Sequence, residues 1–254
     1  MPIDRIMAGE PGEMADPRAE PCLAGQGWTW DGVDFAVLYP AQAGLYGRPT
    51  VVNNVETLAN LPPILANGAD WFRSLGTDGS PGTKVFSLSG HVERPGNYEL
   101  PLGTPFRELL ELGGGVWRNR SLKAILPAGA SGPALAGAVA MDLALDWESV
   151  QAAGSVLGSA SVIVLDDATN MAWVAQRTSR FFCHESCGKC TPCREGTWWL
   201  DALYRRLVGG GGSAQDVSRI AAVIDGMYGA CFCPLGESAQ CVPRSTLALF
   251  PDDY

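Results

Sequence analysis

The distribution of cysteine constrains this 254-residue chain more than any other feature. Eight cysteines occur, at 22, 183, 187, 190, 193, 231, 233 and 241, and all but the first follow residue 182. A disulfide scaffold is small, secreted and cysteine-dense throughout, and this chain fits none of these. A thiol used as a small buried hydrophobe explains a lone residue such as Cys22. It does not explain Cys187, Cys190 and Cys193 in ESCGKCTPCREG. The C-x2-C-x2-C spacing folds three thiolates around one point in a tight turn, to which Gly188 and Pro192 are suited. The segment then feeds a helix expected from Arg194, whose N-terminal dipole favours the negative thiolates.

A cubane iron–sulfur cluster needs four thiolates. The fourth must come from Cys231, Cys233 or Cys241. Cys233 is preferred, because Pro234 follows it as in the Cys-Pro of bacterial ferredoxin runs. Zinc is the rival. Its structural sites usually use two cysteine pairs at C-x2-4-C spacing, whereas this chain has a triplet and a distant single. Cys183 and His184 could join such a zinc site, which would make the chain a non-redox interaction module. The two histidines, His91 and His184, are expected to be ordinary surface or turn residues. Lys189, Arg194, Arg177 and Arg180 are either a solvated basic patch or an offset to a negative cluster.

Composition limits the remaining choices. With 46% hydrophobic and 18% charged residues the chain can build a core. Eighteen Lys and Arg against 27 Asp and Glu give a charge of −9, so nucleic acid is not expected as a partner. No apolar run reaches the ~20 residues of a membrane-spanning helix, so direct membrane insertion is not expected. The opening MPIDRIMAGEPGEMADPRAEP carries charges where a signal peptide is apolar, which points to the cytoplasm. Neither G-x-G-x-x-G nor G-x4-G-K-[ST] occurs, so no dinucleotide phosphate cradle is expected. No nucleophile–base constellation suggests hydrolytic catalysis.

The pattern along the chain is α+β. Residues 1–35 read as a poorly ordered leader. In 36–80, Asn53 or Asn54 caps a helix with Glu56 in its first turn, Pro62 and Pro63 interrupt it, and Asn67-Gly68 stops it. In 81–167, KVFSLSGHV and RPGNYEL read as strands around a Pro-Gly turn, TPFRELLELGGG as a short helix, and LKAILPAG and SVIVLDD as further strands. This order is compatible with a β-grasp fold. Residues 168–254 read as helices. The second is expected to carry Trp199, Leu203, Tyr204 and Leu207 on one face, Ser213 and Asp216 resemble a capping box, and a fourth helix follows Cys233.

HESCGKCTPCREG, a helical spacer and FCPLG together resemble the cluster region of the flavin- and NADH-binding component of respiratory complex I. GLYGRPTVVNNVETLANLPPIL resembles the segment that closes its flavin domain, and GTKVFSLSGHVERPGNYELPLGTPFRELL its SLBB domain. The resemblance runs over residues 38–254. It implies a remnant of the α/β flavin domain (36–80), a β-grasp, SLBB-like domain (81–167) and a four-helix-bundle [4Fe–4S] domain (168–254). It implies Cys187, Cys190, Cys193 and Cys233 as cluster ligands and leaves Cys183, Cys231 and Cys241 outside the set. It further implies Val52, Asn53 and Asn54 as flavin contacts, and FMN and NADH as cofactors of the full-length family. The implied partners are other subunits of a membrane-associated NADH dehydrogenase complex, peripheral on the cytoplasmic face of the inner membrane. Flavin subunits of NAD-reducing hydrogenases and NAD-linked formate dehydrogenases share these motifs and form the alternative. The family's glycine-rich GRGGAGFPTG-like loop is missing from this sequence. The chain is therefore expected to be truncated or mis-started, to bind NADH weakly, and to act only within a larger complex.

Overall fold

The computed structural model describes residues 41–42 and 44–254, together with the two-residue strands β1 (Thr29–Trp30) and β2 (Val33–Asp34), which pair antiparallel. The rest of the expected 1–35 leader lies outside the described residues.

Helix α1 (Val55–Asn67) starts where the sequence asks it to. The Asn54 side chain accepts from the Glu56 and Thr57 N–H groups, and Glu56 sits in the first turn. The helix does not break at Pro62 and Pro63, contrary to expectation. Two successive prolines leave carbonyls one turn back without a donor. Here those carbonyls lie on a helix with no buried residue, where water can serve them. Gly68 closes α1, and the short helix α2 (Ala69–Arg73) follows at once.

Five strands form the central sheet, in the order β4-β3-β7-β5-β6. They are β3 (Thr83–Gly90), β4 (Gly96–Pro101), β5 (Leu122–Leu126), β6 (Leu135–Ala136) and β7 (Ile163–Asp166). The β3/β4 hairpin and the β7/β5 and β5/β6 pairs are antiparallel, and β3 runs parallel to β7. Alternation along β3 buries Phe86 and Leu88. They pack with Phe106, Leu109 and Leu110 of helix α3 (Phe106–Leu112) and with Ile125, Leu145, Val150 and Val164. Short helices α4 (Gly137–Ala140) and α5 (Trp147–Ala152) fill the crossover between β6 and β7.

The C-terminal helices are α6 (Met171–Glu185), α7 (Thr191–Arg206), α8 (Ala214–Met227) and α9 (Pro234–Leu249). Asn170 caps α6, and Ser213 and Asp216 form the expected capping box of α8. Their core joins Phe182, Leu200, Leu203, Tyr204, Ile220, Ile224 and Met227. Trp199 departs from the expected apolar face. It is half exposed, packed edge-on against Trp198, while its neighbour Leu200 takes the core position. A third apolar cluster, including Leu126, Leu165, Met171, Val174 and Val242, joins the sheet to α6 and α9. Polar contacts reinforce that seam: Lys123 Nζ lies 2.7 Å from Asp253 Oδ2, which also accepts the Met171 N–H at 2.7 Å. Among the described residues no helix is long and apolar enough to cross a membrane.

Candidate metal centre

Two helix N-termini and the loops that feed them make the cysteine-rich site. After α6 ends, Ser186 and Cys187 lead into Gly188, whose φ of 70° lies in the left-handed region that glycine tolerates. Arg194 ties this turn back by donating from Nη1 to the Gly188 carbonyl at 2.7 Å. Helix α7 begins at Thr191, three residues before the expected start, with Cys190 as its N-cap residue and Pro192 in its first turn. Proline suits a first turn as well as it suits a loop, and that ambiguity hides the boundary. Cys193 therefore sits inside the first turn of α7, where Thr197 Oγ1 donates to its carbonyl at 2.8 Å. Cys233 is the N-cap residue of α9, with Pro234 at the first helical position. Both helices thus present their unpaired N–H groups and positive ends where the sequence places thiols.

Burial divides the four expected ligands. Cys190 and Cys193 are 7% and 4% exposed, whereas Cys187 and Cys233 are exposed. The Phe232 N–H, outweighing burial and joined by the Cys193 N–H, holds the Cys190 thiol below its ordinary range. Burial pushes the Cys193 thiol up. The Ser186 hydroxyl, 3.2 Å from its sulfur, relieves part of this, while the neighbouring thiolates of Cys190, Cys233 and Cys187 add to it. The other three expected ligands therefore all bear on Cys193. Mutual repulsion of this kind is what a bound cation removes. Among the described residues no three His, Cys, Asp or Glu side chains converge as they would on a single ion.

Comparison with known proteins sharpens this picture. Residues 173–254 match the NADH-ubiquinone oxidoreductase-F iron-sulfur binding region, and residues 85–133 match the SLBB domain. The chain is 49% identical over 216 residues to the F subunit of the NADH-quinone oxidoreductase of Mycobacterium tuberculosis, covering 85% of this chain and 48% of that protein. It is 46% identical over 217 residues to the corresponding F 2 subunit of Rhizobium meliloti, covering 85% and 51%. The chain carries a C-terminal region of the NADH-quinone oxidoreductase F family. It spans about half the length of these relatives. It also superposes on a chain of the NAD+-reducing [NiFe]-hydrogenase crystal structure in the air-oxidized state, with a TM-score of 0.73 and 34% identity. That match covers 85% of this chain and 36% of the other.

Elsewhere in this F-family region the remaining sequence candidates are scattered. Val52, Asn53 and Asn54 lie on an open surface before α1. The Asn53 side-chain oxygen accepts the Asn54 N–H at 2.8 Å, and that of Asn54 is taken by the helix cap. Cys183 is partly buried on α6. Burial, then the Asp201 carboxylate, pushes its thiol up to about 11. Cys241 is likewise pushed up by burial on α9. His184 is exposed and pairs with Glu185 at 3.0 Å. His91 is less ordinary than expected: its Nδ1 lies 3.1 Å from the buried Asp166 carboxylate, which Arg120 also contacts at 2.9 Å. These groups line a cavity of about 660 Å³ at the seam between sheet and helices, with Thr169, Trp173 and Tyr254. No described cysteine lines it. The Ser186 hydroxyl and the Phe232 N–H carry no sequence signal. The first is one residue among many serines, and the second is backbone.

Proposed function

We propose that this chain passes single electrons through a [4Fe–4S] cluster as part of the NADH-oxidising component of an NADH-quinone oxidoreductase. Cys187, Cys190, Cys193 and Cys233 hold the iron. One observation carries the reading: Cys190 and Cys233 each begin a helix, and Cys193 lies in the first turn of the helix that Cys190 begins. Soft thiolate donors of this number fit an iron–sulfur cluster. A bound cluster there supplies one-electron transfer. The chain's own groups then set its environment. The Phe232 and Cys193 N–H groups stabilise negative charge on the Cys190 sulfur, and Ser186 does the same at Cys193. Burial of Cys190 and Cys193 keeps water from two of the four sulfurs.

In this reading residues 36–80 belong to a flavin domain, 81–167 to the β-grasp, SLBB-like domain and 168–254 to the cluster domain. Electrons come from NADH by way of FMN and move toward quinone through partner subunits. Those partners hold the chain against the cytoplasmic face of a membrane. Val52, Asn53 and Asn54 contribute one edge of the flavin site. Alone, these exposed residues enclose no flavin, so no chemical step is assigned to them. The likeness to the NAD+-reducing hydrogenase favours a second reading, in which the chain serves a hydrogenase diaphorase. Subunits captured by a tagged chain from its own cells separate the two.

Anaerobic purification tests the central claim. We expect a brown protein with about four iron and four sulfide per chain, bleached by dithionite. A colourless protein with one zinc per chain would overturn the redox reading and leave an interaction module. A soluble, folded chain that takes up no iron on reconstitution would overturn it as well.

A further inference from the structure

A fifth thiol sits beside Cys190 and Cys193. Cys231 lies in the irregular stretch between α8 and α9, two residues before Cys233. Cys231 is half-buried. Its Sγ lies 3.5 Å from the Met227 carbonyl and packs against the first turn of α9. A Cβ built on Gly236 would come within 2.3 Å of this sulfur and 3.5 Å of the Cys193 Cβ. Cys231 therefore fills the gap between α9 and Cys193, and Gly236 is the residue that leaves room for it. Its thiol is also within hydrogen-bonding reach of Cys190. Phe232, between the two cysteines, is 78% exposed, and its N–H points to the Cys190 sulfur. Residues 228–233 contain neither helix nor strand, and Gly229 has a φ of 69°. This short loop is tied to α9 where the Gly229 N–H donates to Glu237 Oε1 at 2.9 Å, but it belongs to no ladder, so its thiol can shift without breaking one.

We propose that Cys231 is a reserve ligand, able to take the fourth cluster position when Cys233 cannot. The inference rests on the four-thiolate reading above. In the exchange one iron–sulfur bond to Cys233 is replaced by one to Cys231. The Cys231 proton passes to solvent, the released Cys233 thiolate takes one up, and no electron is transferred. The donor set stays four thiolates, so the cluster keeps its charge.

Four forms of the chain test this: wild type, Cys231→Ala, Cys233→Ala and the double variant. Each is reconstituted anaerobically with iron and sulfide, with circular dichroism as a check on folding. The readouts are iron and sulfide content and the electron paramagnetic resonance spectrum after dithionite. Wild type and Cys231→Ala are expected to hold about four iron with the same spectrum. Cys233→Ala is expected to hold about four iron with a shifted spectrum, and the double variant to lose the four-iron signal. Cys233→Ser guards against a folding defect, because serine is a favoured helix N-cap. Its spectrum should match that of Cys233→Ala if Cys231 supplies the sulfur in both. Loss of iron from Cys233→Ala equal to that of the double variant would overturn the proposal. So would loss of the cluster from Cys231→Ala alone, which would make Cys231 the resident ligand. A wild-type chain without iron would instead sink the four-thiolate reading, and this proposal with it.

Discussion

Helices α1 and α8 differ by one residue in length, carry comparable apolar periodicity, and each begins with a side-chain cap. Their fates differ. Helix α8 buries Ile220, Ile224 and Met227 against α7 and its neighbours. Helix α1 buries nothing: Val55 and Leu65 are 79% and 85% exposed, and Leu58 and Leu61 are about half exposed. An apolar stripe in sequence is a demand for cover. For α8 the chain meets that demand. For α1 no described residue does.

The largest expected effect is at the covered helix. Ile224→Ala removes a side chain that is 2% exposed, and should cost about 2–5 kcal/mol of stability in denaturant melts. Leu65→Ala in α1 should stay within about 0.5 kcal/mol, since it deletes little buried contact. Equal losses at both sites would mean that α1 is covered in solution, for instance by a second copy of the chain. In that case the Leu65 variant should also change the sedimentation behaviour.

A smaller effect is expected where α7 and α8 come closest. A Cβ added at Gly196 would lie 2.4 Å from Met227 Sδ and 2.5 Å from its Cγ. Met227 is flexible but 1% exposed, so it has little room to yield. Gly196→Ala should therefore destabilise by about 1–3 kcal/mol, despite the better helix propensity of alanine. Met227→Ala in the same chain should recover part of that loss while opening a cavity of its own. If Gly196→Ala stabilises the protein, α7 and α8 are less tightly apposed than these distances require.

What is legible in the sequence follows the same division between local and non-local causes. The capping box at Ser213 and Asp216 and the alternation of Phe86 and Leu88 are local patterns, and each is where the sequence puts it. The start of α7 is ambiguous in sequence because Pro192 is at home both in a turn and in a first helical turn. The helix through Pro62 and Pro63 is hidden because its tolerance depends on exposure, which no local pattern carries. The parallel pairing of Ser89 and Gly90 with Ile163 and Val164 joins residues more than seventy positions apart. The contact between Cys231 and Gly236 is close in sequence but depends on how α9 meets Cys193. Of the candidate site, the thiols themselves are legible; the groups that bear on them, the Ser186 hydroxyl and the Phe232 N–H, are not.

A more local effect concerns what does hold α1. Glu56 ties it to the sheet, pairing with Lys84 and accepting the Val85 N–H at 2.8 Å. Burial raises the Glu56 carboxyl, but the Lys84 and Val85 hydrogen bonds and the Lys84 charge outweigh it, leaving it below the ordinary value. A depressed carboxyl contributes stability that is complete above its unfolded pKa, about 4.3. That contribution is lost as the pH falls through the lower folded value. The tie should thus hold at about pH 5 and loosen below about pH 4, at a cost of about 0.5–1.5 kcal/mol, confined to α1. The Val85 amide, followed by NMR from about pH 6 to about pH 3, should report a midpoint below about 4.3, and Glu56→Gln should abolish that titration. A midpoint at or above about 4.3 would mean that the carboxylate gains nothing from its place. The uncovered helix would then stay where it is by chain connectivity alone, whereas α8, with its apolar cover, should pass through the same pH range unchanged.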